Sequence, residues 1–292
     1  MGGGTYCSTT RSVRADSLGY STKSASAIFK QRNINNAMNP NGISIRESRD
    51  SAEHPNSLAI VLALDVTGSM GSIPHHLIKE GLPKVMDGML QHGVSDPQVL
   101  FLGIGDHEWD NSPLQVGQFE SSDELLDKWL TDLYIEGGGG GNAGESYLLA
   151  WYFGAKHTSI DCFEKRNQKG FLFTIGDEPT LKSFPVSAQR QIMGNGQYGD
   201  ETAAMLLDAA REKYNVFHIH VAQGSNGRSQ STMNGWKELM GDSLIIADDH
   251  REIPNIIAKA IRENVNTVVN SSAKPSTKTN SESSKTEEEV ML

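Results

Sequence analysis

Residues 58–70, Leu-Ala-Ile-Val-Leu-Ala-Leu-Asp-Val-Thr-Gly-Ser-Met, are an aliphatic run that ends abruptly in a carboxylate and a hydroxyl-bearing turn. A run with no polar face reads as a strand buried on both sides, the centre of a parallel sheet. Its carboxyl end brings Asp65, Thr67 and Ser69 to one point, at the edge where open α/β sheets bind ligands. Oxygen-only donors suit a hard cation such as Mg2+ better than zinc.

Working outward, residues 98–105 form a second apolar strand, which runs into Asp106-His107-Glu108-Trp109-Asp110. Residues 169–175 form a third, ending at Gly176-Asp177-Glu178-Pro179. Residues 215–222 and 243–247 read as further strands, and the alternation over 114–119 predicts an edge strand. Between them, three-to-four-residue apolar spacing predicts helices over 73–90, 122–134, 146–155, 200–214 and 230–240. Ile253, Ile257, Ile261 and Val265 mark a closing helix. Pro83 should kink or divide the first of these helices. Residues 181–198, with Pro185, Gly194 and Gly196, read as an irregular excursion. The order predicts an α/β fold with a mostly parallel central sheet, one antiparallel edge strand and helices on both faces.

Asp65-x-Thr67-x-Ser69 resembles the D-x-S-x-S signature of von Willebrand factor A (VWA) domains, with Thr in the first hydroxyl position. In that family the signature opens a metal-ion-dependent adhesion site on a Rossmann-like fold. Gly137 to Gly141, then Asn142-Ala143-Gly144-Glu145, is similar to the Gly-rich stretch and D-x-P-E of the integrin β-like and α-kinase-linked subgroup. Asn142 replaces the Asp and Gly144 the Pro. The resemblance carries Glu145 over as a metal carboxylate, and Asp177 as the last acidic position. It therefore implies a site of Asp65, Thr67, Ser69, Glu145 and Asp177 holding Mg2+, or Mn2+ or Ca2+. It also implies a binding module rather than an enzyme, whose protein partner offers an acidic side chain. Three carboxylates leave such a site net negative, so either the partner brings basic residues of its own or a second cation sits near Asp106 and Glu108. The glycine run reads as a functional loop, because it lies between two apolar-periodic helices where close backbone approach is useful.

Composition narrows the classes. The net charge of −10 argues against a general nucleic-acid surface. Residues 1–57 hold seven Lys/Arg against four Asp/Glu, so this arm is +3 and the remainder −13. Such an arm either lies on the acidic body or stays solvated. Three parts are expected: a polar extended arm over 1–56, a VWA domain over 57–267, and a disordered Ser/Thr/Lys/Glu tail over 268–292. Within the arm only 25–29, and a helical turn over 47–53, show local order. Cys7 and Cys162 are too few for a disulfide framework. No apolar run reaches the ~20 residues of a membrane span. The start lacks a signal peptide, and Tyr6 stands where a myristoylation signal wants Ser or Thr. These features together predict a cytoplasmic protein without membrane contact.

Histidines offer weaker signals. Adjacent His75 and His76 point in different directions. His218 and His220 share one strand face, a spacing that serves either a metal or the core.

Two other readings are open. A degenerate metal site would leave a scaffold, such as an adaptor of a separate AAA+ ATPase of the MoxR or chelatase type. The chain has no Walker loop of its own, since GGGGGNAGES lacks the G-K-[ST] ending. Asp65-Val-Thr-Gly also resembles the nucleophile motif of aspartyl-phosphate enzymes. That chemistry wants a placed Lys, for which Lys182, Lys213 and Lys237 are available, and an acidic pair such as Asp248-Asp249.

Overall fold

The structure, a computed structural model, describes residues 4–70, 73–137 and 144–272, without the side chains of residue 69 and residues 266–272. Along the chain, α1 (Ser8–Leu18), α2 (Ala25–Ile28) and β1 (Arg46–Ser48) precede the aliphatic strand β2 (Ser57–Asp65). Then α3 (Ile73–His76), a π-helical turn (Leu77–Gly81) and α4 (Leu82–Gln91) lead to β3 (Asp96–Ile104) and β4 (Leu114–Val116). Next come α5 (Asp123–Thr131), α6 (Leu148–Lys156), β5 (Thr158–Ile160), α7 (Asp161–Glu164) and β6 (Gly170–Gly176). The order continues β7 (Ser183–Phe184), α8 (Val186–Met193), β8 (Glu201–Thr202), α9 (Ala203–Lys213) and β9 (Tyr214–Val221). It closes with α10 (Gln230–Met240), β10 (Leu244–Ala247) and α11 (Ile253–Ser272).

The main sheet has six strands in the order β10-β9-β6-β2-β3-β4. All neighbours are parallel except β3 and β4. This is the Rossmann-like α/β architecture read from the sequence. Every residue of β2, β3 and β6 is buried, as an unalternating aliphatic run requires. Successive β2 side chains alternate between faces. Leu62 and Leu64 line a small apolar cavity together with Leu82, Val85, Leu130 and Ile257 on one side. Asp65, of opposite parity, meets Tyr147 at the start of α6. From β2 the chain moves to β3 on one flank; β6 takes the other flank and continues to β9. The carboxyl ends of β2 and β6 therefore border the crevice where the connections diverge, the preferred ligand position of such sheets.

Pro83 divides the predicted helix by a specific route. Leu82 N–H bonds the Leu77 carbonyl in the π-turn. The next bond of that type would run from residue 83 to the Ile78 carbonyl, and proline has no N–H. The Arg11 guanidinium fills the gap, bonding the carbonyls of Ile78 and Lys79. Arg11 is buried and also pairs with Asp127 of α5 at 3.1 Å. Arg14 reaches both Asp123 and Asp127. The positive arm thus lies on acids of the body.

Several local expectations need correction. Helix α1 forms where no regular element is expected; its one buried residue is Arg11, so ion pairs hold it rather than an apolar stripe. Residues 46–48 are a strand paired with β5, not the start of a helical turn. That strand is fixed by backbone register, which local composition does not encode. The supposed irregular excursion contains α8, whose buried Ala188, Gln189, Ile192 and Met193 keep a helical period; Pro185 is its N-cap rather than a breaker. Helix α11 runs to Ser272, past the expected boundary, and the rest of the proposed tail lies outside the described residues. Both cysteines are free thiols. Among the described residues no helix is long and apolar enough to cross a membrane.

Two stability predictions follow from these anchors. Arg11→Met leaves two carbonyls and a buried carboxylate short of a donor. It should lower unfolding free energy by about 3 kcal/mol in urea titration, at the lower end for a broken buried pair because Arg14 remains. Asp161, at the start of α7, accepts from Asp50 N–H at 2.8 Å and pairs with Arg49 and Lys165. Burial opposes its charge, but Lys165, the Asp50 amide and Arg49 outweigh burial and hold its carboxyl at about 2. A carboxyl depressed below its unfolded value of about 3.9 stabilises above that pH and loses the contribution as pH falls through the folded value. Asp161→Asn should therefore cost about 1–3 kcal/mol at pH 7, and its urea midpoint should converge on wild type between about pH 4 and pH 2.

Candidate metal centre

Asp65 is the last residue of β2 and is fully buried. Its Oδ1 accepts the Thr67 N–H at 2.9 Å and the Thr67 hydroxyl at 2.6 Å, an Asx-type turn. Its Oδ2 accepts the Tyr147 hydroxyl at 2.7 Å. Burial pushes the Asp65 carboxyl up, the Thr67 and Tyr147 bonds pull it back, and nearby Asp177 pushes it up again. With its proton committed to Asp65, the Thr67 hydroxyl can offer only oxygen lone pairs to a third group.

Glu145 reaches the same place through its backbone. Its N–H donates to the Pro179 carbonyl at 2.9 Å, and its own carbonyl accepts from Leu181 N–H at 2.9 Å. Ser146 N–H donates to the Gly105 carbonyl at 3.1 Å, and Ser146 Oγ accepts the His107 N–H at 2.8 Å. Residues 145 and 146 are thereby stitched between the loops that leave β6 and β3. Gly144 permits this: a Cβ there would lie 3.2 Å from the Pro179 oxygen. Glu145 is 5% exposed, and its Oε2 has no hydrogen-bond partner among the described residues. Burial raises its carboxyl strongly, with Asp65, Asp110, Asp106 and Glu178 adding to the rise.

Asp177 follows β6, is fully buried and accepts Asn226 N–H at 3.0 Å. The structure thus brings Asp65, Thr67, Glu145 and Asp177 to the crevice between β2 and β6. The backbone of Ser69 continues the turn in a 3-10 segment, Gly68–Met70. Its side chain, Asn142 and the glycines from 138 to 141 lie outside the described residues.

Does this set suit a cation? A buried carboxylate oxygen without a donor, in a field of other carboxylates, is costly unless something positive compensates it. The donors are all oxygen, as a hard cation prefers. Among the described residues, however, no three His, Cys, Asp or Glu side chains form a group able to hold one metal. The acids share a field without forming a three-carboxylate cage. Hydroxyl and water oxygens must complete any shell, which accords with the hydration Mg2+ retains.

Other candidate positions have internal uses. Asp106 Oδ1 accepts Glu108 N–H at 2.8 Å, and Asp110 Oδ2 accepts Asp106 N–H at 2.7 Å, so these acids also build their own turn. His75 contacts the Lys23 carbonyl while His76 faces His250, so the pair diverges. His218 bonds Thr174 and stacks on Trp236; His220 bonds the Gly227 carbonyl. Both are buried, and burial lowers both toward the neutral form. Of the lysines that phosphoryl chemistry would need, Lys213 donates to the Thr158 carbonyl at the amino end of the sheet, away from Asp65. Tyr147 escaped the sequence reading. Nothing in one chain signals that a helix-start phenol will meet a strand-end carboxylate from 82 positions earlier.

No protein-family model matches the chain. No curated protein sequence matches it either. Among solved structures it is similar to the pilus adhesin SpaC of Lactobacillus rhamnosus GG, at 11% identity over 75% of this chain and 31% of that one, TM-score 0.47. It is also similar to proximal thread matrix protein 1 of the mussel byssus, at 12% identity over 72% and 48%, TM-score 0.46. A third is an aerotolerance-related membrane protein of Bacteroides fragilis carrying multiple mutations to serines, at 13% over 72% and 99%, TM-score 0.42. The chain spans about a third of the adhesin and about half of the byssus protein.

The unpartnered Glu145 oxygen makes a direct prediction. In chelator, Glu145→Gln should raise unfolding free energy by about 1–3 kcal/mol in urea titration, because a neutral amide replaces an uncompensated buried acid.

Proposed function

We propose that the chain is a VWA-type protein-binding domain whose contacts depend on a divalent cation, with Mg2+ the natural occupant. The observation that carries this reading is the buried, unpartnered Glu145 Oε2 beside Asp65 at the strand-end crevice. Thr67, Ser69 and Glu145 would hold the ion, with Asp65 and Asp177 acting through bound water. When bound, the ion supplies a Lewis-acid position at which a partner's carboxylate completes the shell. Asp65 orients Thr67, and the backbone ties of Glu145 set its carboxylate in place. The cluster is acidic overall, so cation binding must come before an acidic partner approaches. The role is that of an adaptor rather than a catalyst.

The test is calorimetric titration of the wild type with MgCl2 and MnCl2, followed by affinity capture with and without chelator. Wild type should bind Mg2+ and gain about 2.7 kcal/mol of stability at a hundred times the dissociation constant. Asp65→Ala should lose both that gain and the chelator-sensitive partner. A wild type that binds neither ion ends the proposal.

A further inference from the structure

We propose that Tyr147 is a positioning residue that sets which divalent cation the crevice accepts, by holding Asp65 Oδ2 back from direct coordination; this rests on the metal-site reading above. An ionised carboxylate has about four acceptor positions. Among the described residues, three of those on Asp65 are filled, two by Thr67 and one by the Tyr147 hydroxyl at 2.7 Å. Thr67 saturates Oδ1, so Oδ2 is the oxygen that can face an ion, and the phenol tethers it so that it acts through bound water.

The phenol is held firmly enough to impose this. Tyr147 is fully buried. Its ring packs edge-on against Trp236 with centroids 5.6 Å apart, and against His218 at 5.2 Å. Its hydroxyl occupies the space where Gly176 lacks a side chain, since a Cβ there would fall inside the phenol. That glycine directly precedes Asp177, and Tyr147 stands two residues after Glu145. One segment thus carries both a candidate ligand and the group that restrains the other carboxylate.

The chemical consequence is selectivity. Ca2+ takes six to eight oxygens and accepts two-oxygen carboxylates, whereas Mg2+ wants six near-octahedral positions and keeps waters. A restrained Asp65 suits the smaller ion. Removing the phenol oxygen leaves Oδ1 with Thr67 and releases Oδ2 to ligate directly instead of through water, and the added oxygen favours the larger ion.

The experiment is parallel calorimetric titration of wild type and Tyr147→Phe with MgCl2 and CaCl2, with melting in chelator recorded for each. The Mg2+-over-Ca2+ affinity ratio should fall about tenfold in Tyr147→Phe, the scale expected for a group that orients a ligand. Gly176→Ala, which pushes the phenol off Asp65 while keeping it present, should move the ratio the same way. It carries the test if the first variant does not fold. A variant that melts earlier with an unchanged ratio shows a purely structural tyrosine and overturns the proposal, while leaving the metal-site reading intact. A wild type that binds neither ion overturns both.

Discussion

A carboxylate buried at the end of an apolar strand is the constraint around which this molecule is arranged. Without hydrogen bonds such a group costs several kcal/mol in an apolar setting. Asp65 is tolerated because, among the described residues, three donors converge on it, two from its own turn and one from Tyr147 at the N-cap of α6. That need explains the tight turn after β2 and the presence of a phenol at the start of α6. It also explains the missing side chain at Gly176, which makes room for the phenol. Glu145 is the counter-case, a buried acid one of whose oxygens has no donor among the described residues. The difference between the two carboxylates, one restrained and one orphaned, is the chemical asymmetry on which the functional reading stands.

The same accounting governs the arm. Arg11 completes hydrogen bonds that Pro83 and the π-turn leave open, and neutralises Asp127. Arg49 and the amide of Asp50 do the same for Asp161. A buried ion pair is weak evidence of net stability, but breaking one side of it is costly. The arm and the body are therefore coupled through unmet polar groups more than through apolar area. Tyr6, Ile28, Phe29 and Met38 add the apolar part of that contact.

Much of the fold was legible because burial leaves a mark on composition. The strands β2, β3 and β6 are largely apolar runs of the right length, and α10 coincides with its predicted span. The acids at the strand ends were legible too, since a charge that terminates such a run has few other places to be. Elements held by polar or backbone contacts were not legible. Helix α1 has no apolar stripe, and β1 is three residues whose only signature is a parallel partner over 100 positions later.

The chain by itself determined the layered α/β architecture and which residues would stand at the carboxyl edge, because hydrophobic period and run length depend only on neighbours in sequence. Tertiary structure alone decided that β6 lies beside β2, that Glu145 is pinned between two strand-end loops, and that Tyr147 reaches Asp65. Those outcomes depend on strand order and on where a side chain's last atom falls. Both are set by packing across the whole core, and local spacing carries no record of them.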